Sequence, residues 1–92
     1  MQTLKAQGFN ASYQVCDVTN WGQVKAAADA VHAASGRIDV VVQAAGVTGK
    51  TAIKTHEVDP ANFDMVMAIN TKGIFHVCKA VLPGMIARDY GR

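Results

Sequence analysis

Charge is scarce in this chain: 17% of its 92 residues are Asp, Glu, Lys or Arg. The net charge is only +2, and Lys and Arg are scattered singly. No basic stripe or charged tail is present, which argues against a nucleic-acid partner. Long apolar runs are also missing. None reaches the roughly 18 residues of a membrane span, and the start, Met-Gln-Thr-Leu-Lys-Ala-Gln-Gly, has no signal-peptide core. Cysteine is limited to Cys16 and Cys78. They fit no metal-ligand spacing, and without a secretory context they read as reduced thiols of a cytoplasmic protein. His32, His56 and His76 do not cluster in sequence, so no metal site is expected. Repeats, low-complexity tracts and linkers are absent. What remains is an ordinary soluble α/β composition, 50% hydrophobic, in a length that allows one small domain at most.

The stretch that organises the rest is Ile-Asp-Val-Val-Val-Gln-Ala-Ala-Gly at residues 38–46. Val40, Val41 and Val42 form an unbroken β-branched run. A run that does not alternate predicts a strand buried on both faces, as in a parallel sheet covered by helices. Ala44, Ala45 and Gly46 then leave the backbone bare at the carboxyl end, where open α/β sheets bind ligands. Gly46 can take positive φ there. Tight strand-to-loop packing is the other reading of the same residues.

Ahead of this strand, residues 1–7 read as the last turns of a helix, with Gly8 just past its end. Residues 11–16 read as a short strand. Asp17-Val18-Thr19-Asn20 turns the chain, and Thr19 or Asn20 can cap the next helix, with Gln23 completing a capping box. Asp17 lies on the same rim as Ala44, Ala45 and Gly46. Its carboxylate could accept from a ligand amino group, or simply form the turn. Residues 21–35 make a helix, with Trp21, Val24, Ala28 and Val31 as its apolar stripe, and Gly36 ends it.

Beyond the bare turn, residues 47–58 form a loop. Lys50, Lys54 and His56 there are solvated charges or face an anionic group. Asp59-Pro60 predicts a helix start, with Asp as N-cap and Pro at the first position. The stripe of this helix reads Phe63, Val66, Asn70, Ile74, Val77 and Val81. Asn70 thus falls on the apolar face, with Gly73 one turn later. A buried amide is costly unless hydrogen-bonded, and Asn and Gly are poor helix formers. Two such violations within a turn mark a functional site or a structural Asn bonded to a neighbour. Pro83 should kink or weaken the helix near its end.

Taken together and in order, Asp17-Val18-Thr19, the strand ending in Ala44-Ala45-Gly46, the Asp59-Pro60 start and Ile69-Asn70-Thr71-Lys72-Gly73 resemble the middle of a short-chain dehydrogenase/reductase. Arg88-Asp89-Tyr90-Gly91-Arg92 is similar to the segment before that family's fifth strand. The resemblance covers essentially the whole chain. It implies that Asp17 contacts the adenine amino group of NAD or NADP and that Val18 lines the adenine pocket. It implies that the backbone of Ala44, Ala45 and Gly46 runs along the cofactor riboses. Asn70 matches the active-site Asn, where the helix is locally disturbed and a water of the proton relay is held. One departure is Gln43, where the family usually has Asn; Gln keeps the amide but adds a methylene. The Gly-rich phosphate loop, the catalytic Ser and the Tyr-x-x-x-Lys pair do not occur in this sequence.

The fold implied is α/β, part of a doubly wound Rossmann-type parallel sheet. Residues 1–92 would form a partial NAD(P)-binding domain, truncated at both ends, holding the third and fourth strands with their helices. In the order 3-2-1-4-5-6 these strands are not neighbours, so direct pairing between 11–16 and 40–42 would contradict the placement. The implied activity of the intact parent is interconversion of a secondary alcohol and a ketone, of 3-oxoacyl thioester or sugar/polyol type. The parent would act as a tetramer or dimer through the helix at 59–88, on a small carbonyl or alcohol substrate. The alternative is a non-catalytic truncated product or a small α/β interaction module. A receiver-type module fits less well, since Asp17 stands alone where an acidic cluster would be needed.

Overall fold

The structure is a computed structural model that describes residues 6–8 and 11–92. The helix expected at 1–7 therefore lies mostly outside the described residues, although Gly8 does adopt the left-handed φ of +88° expected of it. Helix α1 is Trp21–Ser35. A single-turn 3₁₀ helix, Thr55–Glu57, interrupts the following loop. One long helix closes the chain, in three parts: α2 (Pro60–Met67), a π-turn at Ala68–Lys72, and α3 (Gly73–Arg88).

The helix ends follow from their capping residues. Asn20 is the N-cap of α1 and its Oδ1 accepts from Gln23 N–H at 3.0 Å. Gln23 does not complete the box with Asn20. Its Oε1 accepts instead from Asp17 N–H at 2.9 Å, tying the preceding turn to the helix. Gly36 stops α1 in the left-handed region at φ +82°, donating to the His32 carbonyl at 2.7 Å. At α2, Asp59 caps Ala61 N–H at 2.9 Å and Pro60 occupies the first turn. At the far end Asp89 turns left-handed at φ 54°, and Tyr90 N–H reaches back to the Met85 carbonyl at 3.1 Å. Pro83 does not end the helix, which runs on to Arg88. A proline forfeits one helical donor, and the turns on either side carry the helix past it.

No hydrogen-bonded strand is present among the described residues. The third and fourth strands expected at 11–16 and within 38–46 are thus not formed as sheet. A strand exists only through its neighbour's donors and acceptors, and no hydrogen bond joins these two segments. An apolar groove of about 610 Å³ lies between them, lined on one side by Cys16 and Val18 and on the other by Val40 and Val42. Val15 and Val42 are 93% and 84% exposed. A trace of sheet does appear on the other edge. Arg92 N–H donates to the Asp39 carbonyl at 2.9 Å and Val41 N–H donates to the Arg92 carbonyl at 2.7 Å. That alternation, straddling Val40, is the bonding pattern of parallel strands.

The core lies where α1 packs on α3. Val24 of α1 and His76 of α3 are buried, and Met85 is buried further along α3 against Gly91. Two residues of the expected long-helix stripe, Phe63 and Ile74, are exposed. Gly73 and His76 take the inward positions there, because only the face that α1 and the turn at 17–18 can cover is buried. The helix Pro60–Arg88 does meet the length and apolarity of a membrane span, with an 18-residue window of mean hydropathy 1.2. Lys72 and Lys79 interrupt the run in sequence, and Gly73, His76 and Met85 of the helix are buried within its own chain.

Candidate functional site

Asn70 sits in the middle of the π-turn. There the Gly73 N–H bonds back five residues to the Ala68 carbonyl, so the helix is widened by one residue. Such turns are rare and concentrate at functional sites. The widening presents the Asn70 side chain, half-buried, to the end of the 38–46 stretch. Its Oδ1 accepts from Val47 N–H at 2.8 Å and its Nδ2 donates to the Val47 carbonyl at 2.7 Å. The amide therefore behaves as a short piece of sheet edge and clamps one residue of the loop at both backbone groups.

Gly46 lies directly against this clamp. A Cβ there would stand 3.4 Å from Asn70 Oδ1. Gly46 is not at positive φ, so the conformational freedom expected of it is not what the position uses. Close approach of the amide is the reason for a small residue. Ala44 and Ala45 are exposed and leave a backbone free of bulk, as the sequence suggests. Gln43, the residue preceding them, reaches the other way: its Nε2 donates to the Ile74 carbonyl at 3.3 Å and lies 3.2 Å from Cys78 Sγ. The added methylene relative to Asn gives it the reach to α3.

The Asp17–Val18 turn is held by the same helix one turn further on. Asp17 Oδ1 accepts from both the Thr19 N–H at 2.9 Å and the Thr19 hydroxyl at 2.7 Å. The hydroxyl bond first, and then the backbone bond, hold the carboxyl below its usual value of 3.8, with slight burial opposing. Asp17 is thus an ionised, exposed acceptor, and among the described residues no donor reaches its Oδ2. Val18 packs on Gly73 so closely that a Cβ at Gly73 would stand 2.8 Å from Val18 Cγ2. The Val18 carbonyl lies 2.7 Å from His76 Nδ1.

Asn70, Gly73 and His76, three residues apart along the helix, therefore gather both stretches singled out in the sequence. Asn70 holds the 46–47 backbone; Gly73 and His76 hold Val18. Sequence reasoning missed Val47 and His76. Val47 carries no chemistry in its side chain. His76 was visible only as a polar residue beside the stripe of a long apolar helix. Lys50, Lys54 and His56 are all exposed, and His56 has Glu57 at 3.7 Å, so they are solvated loop charges. Among the described residues no cluster of His, Cys, Asp or Glu could hold a metal ion.

The arrangement suits a flat ligand with an amino group. It offers a bare, exposed backbone at 44–46, an apolar Val18 and a carboxylate with a free oxygen on the adjoining turn. These are acceptor and surface properties that an adenosine fits. Nothing described here would hold a pyrophosphate on a helix N-terminus.

Comparison with known proteins bears on the same region. The family model described as short chain dehydrogenase matches residues 1–92. The chain is 45% identical over 76 residues to 2-(R)-hydroxypropyl-CoM dehydrogenase of Xanthobacter autotrophicus, covering 82% of this chain and 30% of that one. It is 32% identical over 92 residues to acetoacetyl-CoA reductase of Cupriavidus necator, covering all of this chain and 37% of the other. A crystal structure of NAD⁺-bound xylitol dehydrogenase superposes with a TM-score of 0.92 at 36% identity, covering 99% of this chain and 35% of that one. The chain spans about a third of the length of these proteins.

Proposed function

This chain belongs to the short-chain dehydrogenase family, and from that premise we propose that it is a stretch of an NAD- or NADP-dependent oxidoreductase interconverting a secondary alcohol and a ketone. The likeness to solved family structures assigns it the Rossmann-type fold, and within that fold residues 1–92 are read as part of the dinucleotide-binding domain. Hydroxypropyl-CoM, acetoacetyl-CoA and xylitol appear in the names of its relatives. All are small alcohols or ketones, and a substrate of that class is proposed here.

When bound, the dinucleotide supplies the hydride donor or acceptor. This chain's residues would hold its adenosine half. Asp17 would accept from the adenine amino group, Val18 would line the adenine pocket, and the backbone at Ala44, Ala45 and Gly46 would run along the riboses. Asn70 has a positional task. Both ends of its amide are engaged by Val47, and the widened turn around Asn70 would hold the relay water. The side chain keeps that turn open and fixes the loop beside it. Free thiols at Cys16 and Cys78 suit a cytoplasmic enzyme. Assembly as a dimer or tetramer through the exposed face of the long helix, where Phe63 and Phe75 lie, belongs to the same reading.

The observation that carries this proposal is the π-turn with Asn70 clamped to Val47. The test is Asn70→Leu in the full-length enzyme. The expected result is a fall in kcat of about 10²-fold, within the range of lost proton-transfer assistance, with the dinucleotide KM close to wild type. An unchanged kcat in a folded variant would overturn it.

A further inference from the structure

We propose that His76 is a positioning residue that sets dinucleotide affinity from beneath, by fixing the Asp17–Val18 turn. The inference rests on the proposed function for the identity of the ligand, and on geometry for the rest. His76 is only 5% exposed, in a chain that buries almost nothing polar. A buried imidazole in an apolar setting needs a partner, and it has one 58 positions away in sequence: the Val18 carbonyl, 2.7 Å from Nδ1. A carbonyl can only accept, so Nδ1 carries the proton and donates. The ring lies beside Trp21, at the start of α1, with centroids 6.0 Å apart and planes tilted by 48°. Lys79 in turn lies 4.7 Å over the Trp21 ring. The imidazole therefore has little freedom to turn away.

The Val18 carbonyl has no backbone partner among the described residues. Its neighbours are all committed: Asp17 N–H to Gln23, the Asp17 carbonyl to Asn20 N–H, and Thr19 N–H to the Asp17 carboxylate. Among the described residues, His76 thus supplies the one hydrogen bond that ties this turn to the helix carrying Asn70. Gly73, one turn earlier, supplies the matching space for the Val18 side chain. Removing the imidazole donor leaves the carbonyl unpaired, and the turn then keeps only its bonds to α1 and the packing of Val18 on Gly73. The Asp17 carboxylate and the Val18 face then lose their fixed distance from the 44–46 backbone across the cleft.

The experiment uses the full-length enzyme with His76→Leu and His76→Asn. Asn places an amide nitrogen where Nδ1 stands and keeps the donor. In His76→Leu the KM for the dinucleotide and the Kd for ADP-ribose are expected to rise about tenfold, the loss of one buried hydrogen bond. Affinity for nicotinamide mononucleotide, which lacks the adenosine half, stays at wild type, and kcat stays within about twofold. His76→Asn recovers most of the loss. Unchanged ADP-ribose binding in folded His76→Leu overturns the proposal, as does equal weakening for both half-ligands. Should His76→Leu fail to fold, the ¹⁵N–¹H spectrum of the wild-type imidazole decides: a proton on Nε2 alone overturns it, and a bonded proton on Nδ1 with wild-type ADP-ribose affinity in His76→Asn supports it. Wild-type enzyme that binds neither dinucleotide nor ADP-ribose would instead remove the functional reading, and this inference with it.

Discussion

At the scale of single residues, each side chain at the site is held by something specific, and each hold can be broken separately. Asn70 makes two bonds to Val47, one as acceptor and one as donor. Asn70→Asp keeps the acceptor but sets a carboxylate oxygen against the Val47 carbonyl. It is expected to cost about 1–3 kcal/mol of stability in the full-length protein, the range for an unsatisfied or opposed buried polar group. Denaturant titration against wild type measures it, and a midpoint unchanged by the substitution would mean the donor contact is idle. Gly73→Ala forces Val18 away, since 2.8 Å is far inside van der Waals contact; thermal unfolding should register a lower midpoint. Asp17 makes a prediction in pH. Its carboxyl is held below 3.8 chiefly by the Thr19 hydroxyl. A folded-state pKa below the unfolded one gives stability that is present above the unfolded value and lost as pH falls through the folded one. Thr19→Val removes the hydroxyl, so the Asp17 titration followed by carbon NMR should move up towards 3.8, and its share of acid sensitivity should shrink. Asp17 is exposed, so the effect on stability is small.

At the scale of elements, helix boundaries were legible because they are local. Asn20, Gly36 and Asp59-Pro60 each mark an end through bonds within a few residues, and each sits where the sequence puts it. Asn20→Ala should therefore cost about 1 kcal/mol, the usual worth of an N-cap, and reduce helicity in the far-ultraviolet on heating; no change would show that Gln23 and Asp17 alone hold the start of α1. The strands were not confirmed for the opposite reason. Val40, Val41 and Val42 announce a buried strand, but a ladder requires neighbours, and Arg92 alone provides one. The disturbed helix at Asn70 was legible only as two misplaced residues, Asn and Gly, on an apolar face. That the disturbance is a π-turn follows from the Gly73–Ala68 bond, which no spacing rule expresses. Val47 and the reach of Gln43 to α3 were illegible, because both depend on backbone atoms brought together over more than twenty positions.

At the scale of the whole molecule, the described residues bury little: Val24, Met85 and His76 are the side chains most removed from solvent. The radius of gyration is 16.3 Å, against about 12 Å for a compact domain of this length. The accessible surface of 6984 Å² exceeds the roughly 5,100 Å² of a folded monomer of this mass. Large apolar side chains contribute to it: Val40 and Val42 line an open groove, Val15 is 93% exposed, and Phe63, Phe75 and Ile86 lie exposed on the long helix. A chain with this exposure has helices that can form locally, through caps and the α1–α3 contact, and a sheet that cannot. Produced alone, it is expected to show helical far-ultraviolet dichroism, weak near-ultraviolet signal from Trp21, binding of hydrophobic dyes and a broad thermal transition, the features of a molten globule. Dinucleotide binding should fail with it. The residues proposed to meet the adenosine, Asp17, Val18 and the 44–46 backbone, would have their separation set by packing that the isolated chain is not expected to hold firmly, and no phosphate-cradling loop adds to them. Fluorescence titration of the 92-residue chain with NADH and NADPH should therefore show no saturation up to millimolar ligand. Saturable binding in the micromolar range would show that the packing within these residues suffices to shape the cleft by itself.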